Sequence, residues 1–234
     1  MSTEPGVAFI TGASGGLGRA IAKRFAEAGW KLALCYHHHS CEGELAFGFD
    51  VSDETAAKKA IDSTMEKYGR IDVLVNNAGG VADHTIGKLE EAEWDTVLDA
   101  HLKGAFVCSK AAIWHMVRQR SGHIINIGSW SARFGNFGQT NYAAAKAGLI
   151  GLTQSIAREY GKRGIQCNCV LPGFMKTAIS ANLTEERVAQ IVDDNFLGRP
   201  SDPDDAARFI LFLTSLKNVS GQIFQLDSRI GPWT

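Results

Sequence analysis

The residues best suited to chemistry lie close together in the middle of the chain. Tyr142 and Lys146 are four residues apart, and Ser129 precedes the tyrosine by thirteen residues. Residues four apart on a helix share a face, so the Lys146 ammonium can favour the phenolate and lower the tyrosine pKa from about 10. Such a tyrosine can protonate a carbonyl oxygen or deprotonate an alcohol, while a serine hydroxyl holds that oxygen. This predicts carbonyl chemistry without a metal.

The same tyrosine–lysine spacing also occurs on solvated helix faces, so the surrounding elements must support the reading. Helical periods are expected at 53–68, 91–118, 142–163 and 204–214, between apolar runs at 7–10, 31–35, 46–49, 73–75, 123–127, 166–171 and 223–226. This alternation predicts about seven strands in a doubly wound parallel sheet, the Rossmann fold, with helices on both faces.

We expect a single catalytic domain over residues 1–234. The segment 174–200 is polar, prone to form helix and placed after a strand end. Such a segment is typical of a lid over a substrate. No residue within it decides which substrate the lid would cover.

A glycine-rich turn follows the first strand and opens the first helix. Glycine there permits a tight turn and lets backbone N–H groups approach a pyrophosphate at the helix N-terminus. An ordinary loop is the alternative reading, but the position between strand and helix favours dinucleotide binding. The predicted contacts in this turn are Gly12, Ser14, Gly16, Leu17 and Gly18.

Two later strand ends carry polar turns of the same kind. Asp50 and Val51 follow the third strand, where the carboxylate can accept a hydrogen bond from an adenine amino group. Asn77, Ala78 and Gly79 follow the fourth strand and form a narrow turn beside the expected nicotinamide ribose. Each would be ordinary turn chemistry if it stood alone.

Composition excludes several other classes of function. The formal net charge is -1, with 24 basic and 25 acidic residues, which gives no field for nucleic acid or an anionic membrane. The N-terminus has no export signal, and no run of about 18 apolar residues occurs. Five cysteines without a framework spacing suit free thiols in a reducing compartment. We therefore expect a cytoplasmic protein without metal, membrane or nucleic-acid partners.

With these motifs in this order, the chain resembles the short-chain dehydrogenases/reductases from Thr11 to about Asp227. The runs IINIGS, GNFGQTNYAAAKAGLIGLTQSIARE and RGIQCNCVLPGF resemble the 3-oxoacyl-[acyl-carrier-protein] reductases of that family in particular. The resemblance implies that Ser129, Tyr142 and Lys146 are catalytic, with Lys146 also holding the nicotinamide ribose. It also implies that Pro172, Gly173 and Thr177 lie beside the nicotinamide.

The resemblance further implies NADPH-dependent reduction of a 3-oxoacyl thioester in fatty acid biosynthesis. Arg120 and Arg163 match basic residues that such reductases use to receive an acidic acyl carrier protein. Relatives form homotetramers through the helices at 91–118 and 142–163. One alternative is a dehydrogenase of another secondary alcohol or ketone. A cofactor-binding protein without catalysis is a third, although its expected sign, a broken Ser-Tyr-Lys set, is absent.

Three positions depart from the family pattern. Tyr36 stands where an acidic residue would select NADH, and His37, with His38 and His39, can face a 2'-phosphate, which favours NADPH over NADH. A solvated loop is the alternative for these histidines. His101 replaces the asparagine of the proton relay and is expected either to carry protons while titrating near neutral pH or only to pack. The tail has Asp227-Ser228-Arg229 in place of Asp-Gly-Gly.

Overall fold

A computed structural model describes residues 6–181 and 183–229. Its strands are β1 Val7–Ile10, β2 Lys31–Tyr36, β3 Ala46–Gly48, β4 Val73–Asn76, β5 Gly122–Ile127, β6 Ile165–Pro172 and β7 Ile223–Leu226. Its α-helices are α1 Gly16–Glu27, α2 Glu54–Tyr68, α3 Glu91–Leu98, α4 Gly104–Gln119, α5 Ser131–Phe134, α6 Thr140–Tyr160, α7 Glu185–Asp193 and α8 Pro203–Leu213.

The strands form one parallel sheet in the order β3-β2-β1-β4-β5-β6-β7. The chain builds outward in one direction from β1 and, after crossing over to β4, in the other. This reversal opens a crevice at the carboxyl ends of β1 and β4, where doubly wound sheets bind ligands. The order confirms the predicted doubly wound parallel sheet.

Successive side chains of a strand point to opposite faces, and both faces of this sheet are covered. Phe9 of β1 packs into a buried cluster with residues of α2, α4 and α6. Its neighbours Ala8 and Ile10 pack into a second cluster with residues of α1 and α8. Helices therefore lie on both faces, as predicted, and the ligand-binding edge is the one left open.

The helical boundaries differ from the expected ones at functionally relevant places. The segment 91–118 contains α3, a π-helical turn at Asp99–Lys103 and then α4, and His101 lies buried in that wider turn. A π-turn of five residues is too short to show a period of its own, so the sequence does not reveal it. The helix expected at 142–163 begins at Thr140 and ends at Tyr160, followed by a 3-10 turn at Gly161–Arg163. The short helix α5 was not predicted, because four residues show no period.

The lid segment contains a 3-10 turn at Ala178–Ser180 and then α7. Thr184 caps α7 by accepting a hydrogen bond from the Arg187 N–H, at 3.2 Å. In the described part of the tail, Asp227 and Arg229 form an ion pair. Residues 230–234 lie outside the described part of the chain. Within residues 6–181 and 183–229, no helix is long and apolar enough to cross a bilayer.

Gly164 joins the 3-10 turn after α6 to β6 and lies against the end of α4. Its φ is 82°, and a Cβ added there would lie 2.2 Å from the carbonyl oxygen of Arg120. Arg120 is itself left-handed, with φ 55°, and ends α4. Two left-handed helix ends therefore touch at the amino ends of β5 and β6.

We expect Gly164→Ala to lower the free energy of unfolding by about 2 kcal/mol or more. An alanine in the left-handed region is strained, and its Cβ would clash with the Arg120 carbonyl, a backbone group that cannot rotate away as a side chain can. Gly69→Ala is the matched control: Gly69 ends α2 with φ 72°, and its added Cβ would meet nothing within 4 Å. That variant should lose only about 1 kcal/mol. Urea unfolding measures both, and equal losses would contradict the role of the contact.

Candidate active site

Two cavities meet at the carboxyl edge of the sheet. The first, here called the turn cavity, has a volume of about 570 Å³ and extends from the glycine turn and the end of β2 to Tyr142. The second, the lid cavity, has a volume of about 380 Å³ and lies between the turn after β5 and the lid segment. Their shared wall contains Tyr142, Pro172 and Thr177.

All the residues singled out in the sequence for catalysis or cofactor binding line one or both of these cavities. Ser129 and Gly173 line the lid cavity. The others line the turn cavity: Gly12, Ser14, Gly16, Leu17, Gly18, Tyr36, His37, Asp50, Val51, Asn77, Ala78, Gly79, His101, Tyr142, Lys146, Pro172 and Thr177. The arginines proposed for carrier docking line neither; they flank the amino ends of β5 and β6, at the opposite edge of the sheet.

The glycine turn is held against the turn after β4 by Thr11. Its hydroxyl donates to the Val75 carbonyl at 3.2 Å and accepts from the N–H groups of Asn77 at 2.9 Å and Ala78 at 3.0 Å. Gly12, with φ 61°, has no room for a side chain, because a Cβ would lie 2.8 Å from the Ala78 Cα. Sequence reasoning missed Thr11, although a hydroxyl just before a glycine turn is a signal for such a bond.

Polar residues line the far end of the turn cavity. The rings of His37 and His38 lie with their centroids 3.9 Å apart, and Tyr36 and His39 line the same wall. Burial alone would raise the pKa of Asp50, but hydrogen bonds from the Ser52 N–H and hydroxyl outweigh it and leave that pKa lowered. Asp50 is therefore an anion, and the three histidines line the same end of the cavity as hydrogen-bonding groups.

Tyr142 differs from the sequence expectation in its pKa. Burial raises the pKa of the hydroxyl above its usual value, a hydrogen bond with Ser129 opposes this, and Asp83 adds to it. The Lys146 amino group does lie near the ring, with Nζ 5.5 Å from its centroid. The expected lowering by Lys146 is thus wrong for this state of the protein, in which desolvation of the phenolate dominates.

Lys146 is buried, with 3% of its surface exposed. Its Nζ donates a hydrogen bond of 2.5 Å to the carbonyl oxygen of Ile127, the last residue of β5. Burial lowers the pKa of the amino group from 10.5 to about 8, with Cys169 acting weakly against it. The group therefore carries its charge at neutral pH, but at a cost in solvation.

His101 is also buried, and its ring meets the Tyr142 ring edge-on with centroids 5.1 Å apart. Its Nε2 lies 2.7 Å from the Gly80 carbonyl oxygen. A carbonyl only accepts, so this nitrogen carries the proton and Nδ1 is an acceptor. Nδ1 is buried and has no hydrogen-bond partner within the described structure.

Burial lowers the pKa of His101 to about 3, and the positive charge of Lys146 acts in the same direction. The expectation that this imidazole titrates near neutral pH is therefore wrong. It stays neutral throughout the physiological range. The ring fits only because Gly79 lacks a side chain, since a Cβ on Gly79 would lie 1.9 Å from the His101 Cε1.

These features fit a dinucleotide. Glycines occupy the positions where a Cβ would close the turn cavity: on Gly16, one would lie 2.6 Å from the Thr177 Cγ2. The N-terminus of α1 opens onto this cavity and has no acidic residue in its first turn, which suits a pyrophosphate. Lys146 and the unpaired His101 Nδ1 supply a donor and an acceptor at its inner end. Fold and site thus define the class of nicotinamide-dependent oxidoreductases of the doubly wound type.

Comparison with known proteins agrees with this class. The profile of the family described as short chain dehydrogenase matches residues 6–188. A 3-oxoacyl-[acyl-carrier-protein] reductase of Thermotoga maritima is 36% identical over 98% of this chain and 99% of its own. Similarly named reductases of Synechocystis sp. and Staphylococcus aureus are 36% and 39% identical, each over 94% of this chain and 95% and 96% of their own.

The chain therefore belongs to the short-chain dehydrogenase family. It is an NAD(P)-dependent oxidoreductase that acts on CH–OH or C=O groups.

The pKa of His101 predicts an acid-sensitive component of stability. Between its ordinary value of 6.5 and its folded value of about 3, the unfolded chain binds a proton that the native protein does not. The native protein therefore loses stability as pH falls through this window, with a slope from His101 of up to about 1.4 kcal/mol per pH unit.

His101→Asn should remove this component and flatten the acid limb between pH 6.5 and pH 3. Chemical unfolding at several pH values, with both proteins in the same buffers, measures the difference. Parallel stability curves for the two proteins would contradict the buried neutral state.

Proposed function

We propose that the protein reduces a 3-oxoacyl thioester to the 3-hydroxyacyl thioester with NADPH. The observation that carries the proposal is the position of Tyr142 on the wall shared by the two cavities, with Ser129 on the lid side and Lys146 on the turn side. The names and identities of the relatives support the thioester as substrate.

The chain's own residues would handle the carbonyl oxygen. A reduced nicotinamide supplies hydride when it is bound. Ser129 donates a hydrogen bond to the oxygen, and Tyr142 gives it a proton. Because its pKa is raised, the tyrosine is protonated at neutral pH and ready to act as donor. The nearby Lys146 ammonium favours the phenolate that remains after transfer, which has lost the solvation of water.

His101 would take part in proton supply as a neutral acceptor. In relatives the corresponding asparagine is expected to hold a water that links the lysine to solvent. Here Nδ1 is buried, has no hydrogen-bond partner among the described residues, and lines the same cavity as Lys146. It can accept a hydrogen bond from a water that receives one from Lys146, and with a pKa of about 3 it does so without changing charge.

NADPH is the preferred cofactor in this proposal. A 2'-phosphate needs donors or cations and no facing carboxylate at the end of β2. Tyr36 stands there, and His37, His38 and His39 line the adjoining wall. Asp50 lies one strand away, in the turn after β3, where its hydrogen bonds with Ser52 hold it.

An acyl carrier protein would dock at Arg120 and Arg163. These residues flank the amino ends of neighbouring strands, so their backbones lie about one strand length, roughly 20 Å, from the turn that carries Ser129. The sheet lies between these arginines and the cavities of the same subunit. A carrier docked there would therefore serve the site of a neighbouring subunit. Phe106 and Trp114 of α4 are 48% and 60% exposed, which supports the proposed homotetramer packed through α4 and α6.

Tyr142→Phe tests the proposed chemistry. Assays with acetoacetyl-CoA and NADPH should show turnover by the native protein and a loss of at least about 1,000-fold in kcat, because the variant has no proton to give. NADPH affinity, followed by fluorescence, should change little. Tyr68→Phe, at the end of α2 and away from both cavities, is the control. An active Tyr142→Phe enzyme would refute the assignment, and turnover of other ketones but not the thioester would favour a different substrate.

Tyr36→Asp tests the cofactor preference. The new carboxylate would repel a 2'-phosphate and accept hydrogen bonds from free ribose hydroxyls. The ratio of kcat/KM for NADPH to that for NADH should fall by about tenfold or more. Tyr36→Phe, which changes no charge, should leave the ratio near that of the native protein. A native enzyme that prefers NADH would overturn the NADPH proposal directly.

A further inference from the structure

The lid side of the lid cavity carries a cation that has no anionic partner among the described residues. Arg187, on the first turn of α7, lines this cavity. Its guanidinium donates to two neutral amide oxygens, Oδ1 of Asn136 at 3.0 Å and Oε1 of Gln190 at 3.2 Å. Within the described part of the chain it forms no ion pair, whereas most other cavity-lining charges near it are already engaged.

The second arginine of the cavity is neutralised. Arg229 forms an ion pair with Asp227, whose side chain is fully buried, and its guanidinium lies 4.5 Å from the Trp130 ring centroid. Arg229, held by this ion pair, lines the lid cavity. Among the described residues that line this cavity, Arg187 is therefore the cation with hydrogen-bonding capacity to spare.

The carboxylates that line the cavity do not meet Arg187 either. Asp83 accepts a hydrogen bond of 2.9 Å from Gln139 Nε2. Asp194 is exposed just beyond the end of α7, seven residues after Arg187, which corresponds to about 10 Å along a helix. The hydrogen-bond partners of the Arg187 guanidinium among the described residues are thus neutral amides.

The same amides connect Arg187 to the reacting centre. Asn136 Nδ2 donates to Gln139 Oε1 at 3.0 Å, and the Ser131 hydroxyl donates to that same oxygen at 3.2 Å. The Ser131 N–H in turn donates to the Ser129 hydroxyl oxygen at 3.2 Å. Arg187 therefore lies at the outer end of a polar wall whose inner end is the proposed catalytic serine.

We propose that Arg187 binds an oxyanion carried by the substrate, a carboxylate or a phosphate ester, and so selects charged 3-oxoacyl substrates. This rests on the proposed function and specifies its substrate class. An oxyanion accepts two parallel, charge-assisted bonds from a guanidinium and would displace the weaker amide contact with Asn136. Because α7 belongs to the lid, the same bond would hold the lid over the substrate.

The test compares three thioesters in steady-state kinetics with NADPH. Acetoacetyl-N-acetylcysteamine carries no anion, acetoacetyl-CoA carries phosphates on the thiol side, and 3-oxoadipyl-N-acetylcysteamine carries a carboxylate at the acyl end. Arg187→Gln keeps a donor but removes the charge, and Arg187→Lys keeps the charge. Arg133→Gln, an exposed arginine of α5 outside both cavities, removes the same charge elsewhere.

We expect Arg187→Gln to lower kcat/KM by about tenfold or more for one charged thioester, and by less than about twofold for the neutral one. Arg187→Lys should recover part of the loss, and Arg133→Gln should match the native protein on all three. A loss confined to 3-oxoadipyl-N-acetylcysteamine identifies a carboxylate. A loss confined to acetoacetyl-CoA identifies the phosphates of the carrier.

An equal loss on all three thioesters would overturn the proposal, since it would make Arg187 a lid contact only. No loss on any of them would overturn it as well.

If the native protein reduces none of the thioesters, the proposed function fails separately. The proposal on Arg187 is then decided by acetoacetate against ethyl acetoacetate, with the same criterion. Loss on acetoacetate alone supports anion binding, and any other result, including no turnover, overturns it.

Discussion

The burial of the Lys146 amino group is the interaction on which the rest of the site depends. Its pKa of about 8 lies below the ordinary value by an amount that corresponds to a few kcal/mol of lost solvation, at about 1.4 kcal/mol per unit. The hydrogen bond to the Ile127 carbonyl offsets part of that loss. The Lys146 ammonium is therefore incompletely solvated. It favours an oxygen acceptor that enters the turn cavity, and it favours the phenolate that Tyr142 becomes when it loses its proton.

A buried hydrogen-bond network between the sheet and α6 holds the helix that carries Lys146 in place. Asn126 of β5 accepts a hydrogen bond from Asn76 Nδ2 of β4 at 2.8 Å and donates one to Thr153 Oγ1 of α6, also at 2.8 Å. One side chain thus joins two strands to the helix that carries Tyr142 and Lys146. Because buried amides are costly to leave unpaired, the network fixes the register of α6 against the sheet.

Much of this could be predicted from the sequence. The strands and their parallel arrangement follow from apolar periods, and the grouping of Ser129, Tyr142 and Lys146 follows from their spacing and from the family resemblance. Pair spacing cannot supply burial, however. Four residues of separation correctly bring Lys146 near the Tyr142 ring, but the sign of the tyrosine pKa depends on desolvation, which is a property of the packed protein.

The lid shows the same limit for a different reason. Its helix is readable from the cap at Thr184 and the acidic first turn that follows. The proposed role of Arg187 cannot be predicted in this way, because the sequence does not show whether a charged side chain has an ion-pair partner in the folded protein. Only the folded cavity shows that Arg229 is neutralised while Arg187 faces amides.

His101 shows that both its burial and its neighbours in the folded protein decide the chemistry of a residue, and neither can be read from the sequence. A histidine in the sequence suggests a titrating group, yet burial and the neighbouring ammonium lower its pKa and leave a neutral ring that donates from Nε2 and can accept at Nδ1. The accommodation is steric as well as electrostatic, since the ring occupies the space where a side chain on residue 79 would lie. The π-helical turn at Asp99–Lys103 carries the ring in this environment. His101 thus provides an uncharged hydrogen-bonding position, even though histidine is usually associated with charge.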